Sequence, residues 1–275
     1  MTQDAWRELS QEARDLAYDN NAAVADSARL NEQRIAASAR FRASVPAALD
    51  VPYGPAERMR WDLFPASDPS APCLVFIHGG YWQRNRREDF CSLVAGLRAR
   101  GWSAALPGYT LAPEKTLAGI VAEIVAALDW LAANGAGHFI AGPILLSGWS
   151  AGGHLAALTL GHRAVTAGVV ISGVFDLAPI RDTYLNEKLQ LTSKEIATLS
   201  PLRLPPVQKT LAIAYGTAEL PHLVADSRAF HAHRLAAGAP GPLLPVAEAN
   251  HFTILDALSS PEGLLVRTAL SLMGA

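Results

Sequence analysis

The sequence predicts an α/β protein with a mostly parallel central sheet flanked by helices and an N-terminal helical cap. Three observations predict it. From Met59 onward short apolar runs alternate with helical patterns, as a βαβ series requires. Before Gly54 there is no glycine and before Pro46 no proline, so the first 45 residues lack both strong helix breakers. The chain has 275 residues, a length that one large α/β domain (1–275) can absorb without splitting.

In chain order, Trp6, Leu9, Ala13 and Leu16 recur at three- and four-residue steps and predict one apolar helix face. A break is expected at Asp19-Asn20-Asn21, followed by a second helical stretch to about Phe41. These helices at 1–45 are expected to pack as a cap, and their apolar seam fits a homodimer contact equally well. Strands are expected at 59–64, 73–77, 102–106, 144–148, 167–171, 210–215 and 243–247. Helices are expected at 87–100, 117–133, 151–162, 223–237 and 262–273. The stretch 176–206, polar and ending in prolines, interrupts the rhythm and predicts an insertion above the sheet rather than another βα unit.

Bulk composition narrows the partners. Half of the residues are hydrophobic, 17% are charged and the formal net charge is −2, which offers a nucleic acid no basic footprint. The charged start lacks the apolar centre of a signal peptide, and no later segment approaches about 18 unbroken apolar residues, so a cytoplasmic protein away from membranes is expected. Cys73 and Cys91 read as reduced core residues. No cofactor is implied, and no cluster has metal-ligand spacing.

The chemistry is concentrated in four places. Gly148-Trp149-Ser150-Ala151-Gly152 is a G-x-S-x-G element between the apolar run Pro143-Ile144-Leu145-Leu146 and an alanine-rich helix. Strand, tight turn and helix form the context in which such a serine is lifted into a site as a nucleophile. His78-Gly79-Gly80-Tyr81-Trp82 follows the run Leu74-Val75-Phe76-Ile77, at the carboxyl end of an early strand. Glycines there let backbone N–H groups of Gly79 and Gly80, with that of Ala151, approach a developing oxyanion. His78 itself reads as structural. Asn250-His251-Phe252 places a histidine near the chain's end, in the order serine, acid, histidine, where a general base is expected. The acid should follow the penultimate strand, in the loop Gly216 to His222, where Glu219 is the sole acid; Asp226, within the next helix, is its rival. A nucleophile, base, acid and oxyanion hole are the inventory of acyl transfer through a covalent intermediate on the α/β-hydrolase fold.

With these residues the chain resembles the serine-dependent arylformamidases, or kynurenine formamidases, and their esterase relatives in the hormone-sensitive-lipase-like branch of α/β hydrolases. His78 to Trp82 resembles that group's oxyanion motif, and Gly148 to Leu155 its nucleophile elbow. Tyr109 to Glu114 resembles the branch's tyrosine-leucine-proline segment; Ser172 to Leu177, Asn250 to Phe252 and Tyr18 to Asn21 resemble further landmarks. Glu219 departs from the group's usual aspartate and Thr110 from its frequent arginine. The resemblance implies a small-molecule formamide such as N-formylkynurenine, or a related amide or ester, as substrate. A carboxylesterase for short-chain or aryl esters is the alternative. Transfer to an acceptor other than water, and a non-enzymatic ligand-binding homologue, stand further off, the latter because Ser150 and His251 are both present. Tyr81, Trp82 and Trp149 are candidate walls for a planar substrate, against the plainer reading that they pack the core.

Overall fold

In the computed structural model, which describes residues 6–274, eight strands form one sheet: β1 (Ala48–Pro52), β2 (Arg60–Phe64), β3 (Cys73–Ile77), β4 (Ser103–Pro107), β5 (Ile144–Trp149), β6 (Val165–Ile171), β7 (Leu211–Gly216) and β8 (Leu243–Val246). Their order is β1-β2-β4-β3-β5-β6-β7-β8. Pairing is antiparallel between β1 and β2 and between β2 and β4, and parallel from β4 through β8. Every residue of β3, β4, β5 and β7 is buried, because helices cover both faces of a parallel sheet; that is why these strands read as nearly continuous apolar runs, interrupted only by small polar residues such as Ser103 and Ser147.

Two core clusters flank the sheet. One gathers Trp61, Val75, Ile77 and Leu146 with Ile120, Ile124 and Leu128 of the helix Leu117–Asn134. The other gathers Phe76, Phe90 and Leu97 with Leu265 and Val266 of the helix Leu264–Met273. The segment Leu117–His138 is apolar and long enough to match a membrane span, yet Glu123 and Asp129 interrupt it and its apolar stripe belongs to the first cluster. Both cysteines are buried and free, and burial pushes the Cys73 thiol up to about 12.

Four expectations need correction. The edge strand β1 carries no strand signal in the sequence, because its five residues, three half-buried and two exposed, end in proline and hold only one strongly apolar pair; antiparallel pairing with β2 makes the strand. The helix expected at 87–100 is a 3-10 turn, Arg87–Val94, followed by the short helix Ala95–Arg98. Within that turn the Asp89 carbonyl accepts from Arg34 Nε and Ser38 Oγ of a neighbouring helix rather than serving a regular α-helical ladder. The break expected at Asp19 to Asn21 opens earlier, at Ala17 to Asp19, and a second one follows at Val24 to Asp26: between them Asp19 Oδ1 accepts from the N–H groups of Asn21 and Ala22 and starts the short helix Asn20–Ala23, and Ser27–Ser44 then runs unbroken. The apolar face expected from Trp6 to Leu16 does not form, since Leu16 is exposed and the helix there, Gln11–Leu16, is only six residues long. Polar ties dock this segment instead. Trp6 Nε1 donates to Asp182 Oδ2 (3.2 Å), and the Tyr184 N–H donates to Asp15 Oδ1 (2.7 Å). Residues 1–5 of the expected cap, and Ala275, lie outside the described residues.

The stretch 176–206 is not extended. It folds into the short helices Ala178–Arg181, Asn186–Leu189 and Ser193–Leu199, the last closed by a Thr192–Glu195 capping box. Ile180, Leu185, Leu189 and Ile196 are buried beneath it.

One buried carboxylate joins three elements. Asp62 of β2 is fully buried and accepts from Arg42 Nε (2.7 Å) of the helix Ser27–Ser44, from Arg87 Nε (3.2 Å), and from the Asp50 N–H (3.1 Å) of β1. Burial disfavours its charge, but the Arg42 hydrogen bond and the Arg87 charge outweigh burial and hold its pKa below the usual carboxylate range. Asp62→Ala should therefore destabilise the fold by about 3–5 kcal/mol in urea unfolding, because it leaves the buried Arg87 without this partner. The stabilisation carried by Asp62 is present above the unfolded carboxyl pKa and is lost as pH falls through the lower folded value. The gap between wild type and variant should narrow in that acid range.

Candidate active site

Ser150 joins β5 to the helix Ala151–Thr159 with φ 57° and ψ −120°, a conformation that L residues seldom adopt. Its N–H donates to the Ile171 carbonyl of β6 (2.8 Å). The turn is tight enough to demand glycine on both sides. A Cβ on Gly148 would lie 2.2 Å from the Gly152 carbonyl oxygen, and one on Gly152 would lie 2.0 Å from that of Ile77. The sharp corner turns the serine side chain out at a helix N-terminus, as the G-x-S-x-G spacing predicts.

The glycine loop after β3 backs directly onto this corner, since a Cβ on Gly79 would lie 3.0 Å from Ser150 Cβ. Its peptide planes are anchored from behind. The Gly79 carbonyl accepts from Asn85 Nδ2 (3.1 Å) and His78 Nδ1 (2.9 Å), and the His78 carbonyl accepts from the Tyr109 hydroxyl (3.0 Å). A trans peptide points its N–H opposite its C=O. The N–H groups of Gly79 and Gly80 are thereby aimed away from these anchors, and neither they nor the Ala151 N–H meet an acceptor among the described residues. His78 is stacked on Tyr109 at 4.3 Å, and burial lowers its pKa to about 3, so it is a neutral ring whose Nδ1–H holds the loop. Gly80 at φ 116° and Tyr81 and Trp82 at φ 51° and 58° make the following left-handed turn.

His251 lies in a loop closed by reciprocal bonds: Asn250 Oδ1 accepts from the Phe252 and Thr253 N–H groups, and Thr253 Oγ1 accepts from the Asn250 N–H. The His251 carbonyl accepts from Trp149 Nε1 (2.9 Å), which ties the His251 backbone to the residue before Ser150. Its Nδ1 lies 3.0 Å from Glu219 Oε2. A carboxylate only accepts, so Nδ1 carries the proton and Nε2 is left free to take one. Glu219 is held in turn by Ser172 Oγ (2.5 Å) and the Gly216 N–H (2.7 Å), both donating to Oε1.

Asp226 is elsewhere. It accepts from the Phe175 and Asp176 N–H groups, and burial pushes its pKa up to about 7. Of the two acids weighed from the sequence, Glu219 meets the histidine.

Ser150 and His251 open onto one cavity of about 230 Å³, with Gly80, Tyr81, Trp149 and Phe252 on its walls. Trp82 is not among the walls: it is fully buried and packs edge-on against His154 at 4.9 Å, because the left-handed turn sends it into the core. The Tyr81 hydroxyl donates to the Tyr18 carbonyl (2.7 Å) and accepts from Asn20 Nδ2 (3.0 Å). The Tyr18 to Asn21 stretch thus reaches the site. Arg34, Asn31, Arg84, Asn85 and Tyr184 also line the cavity or brace it, and no motif in the sequence marks them. Among the described residues no three His, Cys, Asp or Glu side chains converge to hold a metal ion.

A positive-φ serine at a strand–helix corner, a histidine–carboxylate pair and an anchored glycine loop on this sheet define an α/β hydrolase of the serine type. Comparison with known proteins gives the group. Residues 62–178 match the family model described as BD-FAE. A kynurenine formamidase of Danio rerio is 28% identical over 252 residues, covering 86% of this chain and 85% of its own. Esterase LipQ of Mycobacterium tuberculosis is 30% identical over 152 residues, 46% of this chain and 35% of its own. Among solved structures, a protein of Silicibacter sp. TM1040, provisionally assigned as a thioesterase, superimposes with a TM-score of 0.82 at 30% identity, covering 95% of this chain and 98% of that one. The chain belongs to the arylformamidase and esterase group of α/β hydrolases.

Ser172 was visible in the sequence only as part of a family landmark; the structure gives it a contact on the acid. Ser172→Ala should lower kcat/KM about tenfold through kcat, by removing one of two donors that hold Glu219 Oε1, with a melting temperature close to wild type. Steady-state kinetics beside a thermal melt checks it.

Proposed function

We propose that this hydrolase cleaves the formamide of an N-formyl arylamine through an acyl-enzyme intermediate on Ser150. The observation that carries the mechanism is the His251 Nδ1 to Glu219 Oε2 hydrogen bond on the cavity that Ser150 shares. In this reading Ser150 Oγ forms a bond to the formyl carbon while His251 Nε2 takes its proton. The carbonyl electron pair moves onto oxygen, where the N–H groups of Gly79, Gly80 and Ala151 receive it. The tetrahedral species collapses, the C–N bond breaks, and His251 gives its proton to the departing amine. Water then attacks the formyl ester with His251 again as base, releasing formate and free Ser150. Glu219 keeps the imidazole in the right tautomer and stabilises its cation.

The formamide is favoured by the relatives named kynurenine formamidase, which align along most of the chain. The aromatic walls Tyr81, Trp149 and Phe252 suit a planar aryl group. A carboxylesterase acting on short-chain or aryl esters is the second reading, favoured by the relatives named esterase. The two share every residue above and differ in the leaving group.

Kinetics on N-formylkynurenine beside p-nitrophenyl acetate separates them. A formamide preference of a hundredfold in kcat/KM, about 2.7 kcal/mol of transition-state selectivity, supports the first reading, and preference for the ester moves the chain to the second. Ser150→Ala should leave a folded protein with turnover lower by about 10⁴-fold or more, and Glu219→Gln should cost on the order of 10³ to 10⁴. Asp226→Asn should stay within a few-fold of wild type. Retained activity in Ser150→Ala, or an inverted order of the two acids, would refute these assignments.

A further inference from the structure

The cavity at Ser150 is electrically lopsided. Arg34 and Arg84 line it against one carboxylate, Asp19, whose Oδ1 is already spent on two backbone N–H groups. Arg34 is the more deeply placed. Its guanidinium lies over the Phe90 ring at 4.2 Å and within 5.8 Å of the Trp149 ring. Nε donates to the Asp89 carbonyl (3.2 Å) and Nη1 to Asn31 Oδ1 (2.7 Å). Both acceptors are neutral. Nη2 has no hydrogen-bond partner and the guanidinium no ion pair among the described residues. Burial lowers its pKa to about 10, so it is still a cation at neutral pH. A guanidinium flattened on aromatic rings, braced along one edge and free at Nη2, is a preorganised receptor for a planar oxyanion. Asn20 adds a second polar feature, a buried amide oxygen without a partner.

The position of Arg34 says which end of the substrate it reads. It packs on Trp149, and the Trp149 ring lies 4.7 Å from the His251 ring, tilted by 35°. His251 must protonate the leaving group, so the neighbourhood of Trp149 and His251 is where that group departs. We propose that Arg34 is a specificity-determining residue that binds a carboxylate carried by the leaving group, making the substrates aryl formamides or esters with an anionic arm. The proposal rests on the acyl-transfer reading of Ser150 but not on the choice between formamide and ester.

The test uses two matched pairs that differ in the anionic arm. One is N-formylkynurenine against its carboxamide, which keeps the α-ammonium; the other is 3-(3-acetoxyphenyl)propanoate against its propanamide. Wild type should favour the carboxylate in each pair that it turns over. Arg34→Met should reduce the carboxylate-to-neutral ratio of kcat/KM by tenfold or more, through KM, and Arg34→Lys should restore part of it. A purely structural arginine would depress both members of a pair alike and leave the ratio in place, and that result overturns the proposal. Should Arg34→Met fail to fold, wild-type inhibition decides: kynurenine should inhibit competitively at least tenfold more tightly than kynurenine carboxamide, and equal inhibition overturns the proposal. An Arg34-dependent ratio on the ester pair with no turnover of formamides would uphold it while refuting the formamidase reading. Brisk formamide turnover with a ratio unchanged by Arg34→Met would do the opposite.

Discussion

Ser150 sits at φ 57° and ψ −120°, a backbone state that costs on the order of 1–3 kcal/mol and persists only where its surroundings over-determine it. Three contacts do so: the N–H bond to Ile171 of β6, the bond from the His154 N–H to the Ser150 carbonyl in the following helix, and the glycine-to-backbone packing at Gly148 and Gly152. Each depends on sheet register. Ile77 pairs with Gly148, and Gly148 with Val170, so a slip of either neighbouring strand would move the corner against the glycine loop or away from Ile171. The site inherits its geometry from three central strands, and burial keeps them in place, complete along β3 and β5 and broken only at Thr166 in β6.

The other half of the site reaches the corner through loops, which need ties of their own. The Ala218 N–H donates to the Ala249 carbonyl (3.0 Å), which stitches the acid loop to the loop before His251. Trp149 Nε1 then fastens that second loop to β5. A glutamate in place of the group's usual aspartate adds a methylene and a torsion, which would loosen the carboxylate. Ser172 and the Gly216 N–H both hold Oε1, and this leaves Oε2 for the imidazole. The extra length is absorbed by two donors, one from the end of β6 and one from the acid loop itself.

The legibility of these parts follows the range of the forces that make them. Strands buried on both faces announce themselves locally, and the apolar runs at 73–77 and 144–149 are found where the structure has them within a residue. The elbow and the glycine loop are legible because crowding and φ restrict the residue types, as at Gly148, Ser150 and Gly152. Glu219 could be singled out by its place after a strand. What stayed hidden is set by contacts far apart in sequence. The edge strand β1 exists through β2, the winding of 87–94 goes with bonds from Arg34 and Ser38, and Trp82 turns inward because of a left-handed turn that no motif announces. Arg34 itself lies in a helix of weak amphipathic pattern, where an arginine reads as surface.

This division has a consequence for how such a hydrolase acquires its substrate. The reacting groups sit on the sheet and its adjoining loops, whereas Asn20, Asn31 and Arg34 come from the N-terminal segment, which contributes no strand before β1. That segment is positioned by different bonds. The helix Ser27–Ser44 is anchored at its far end by Arg42 on the buried Asp62, and midway by Ser38 on the Asp89 carbonyl. Asp62 therefore acts at a distance on the cavity wall that carries Arg34, while the Ser150 corner answers to β3, β5 and β6. Changes along 18–38 can reshape the wall without disturbing the register that holds Ser150. Such a separation lets one fold serve different substrates, and the proteins this chain is similar to are named for formamides in some cases and for esters in others.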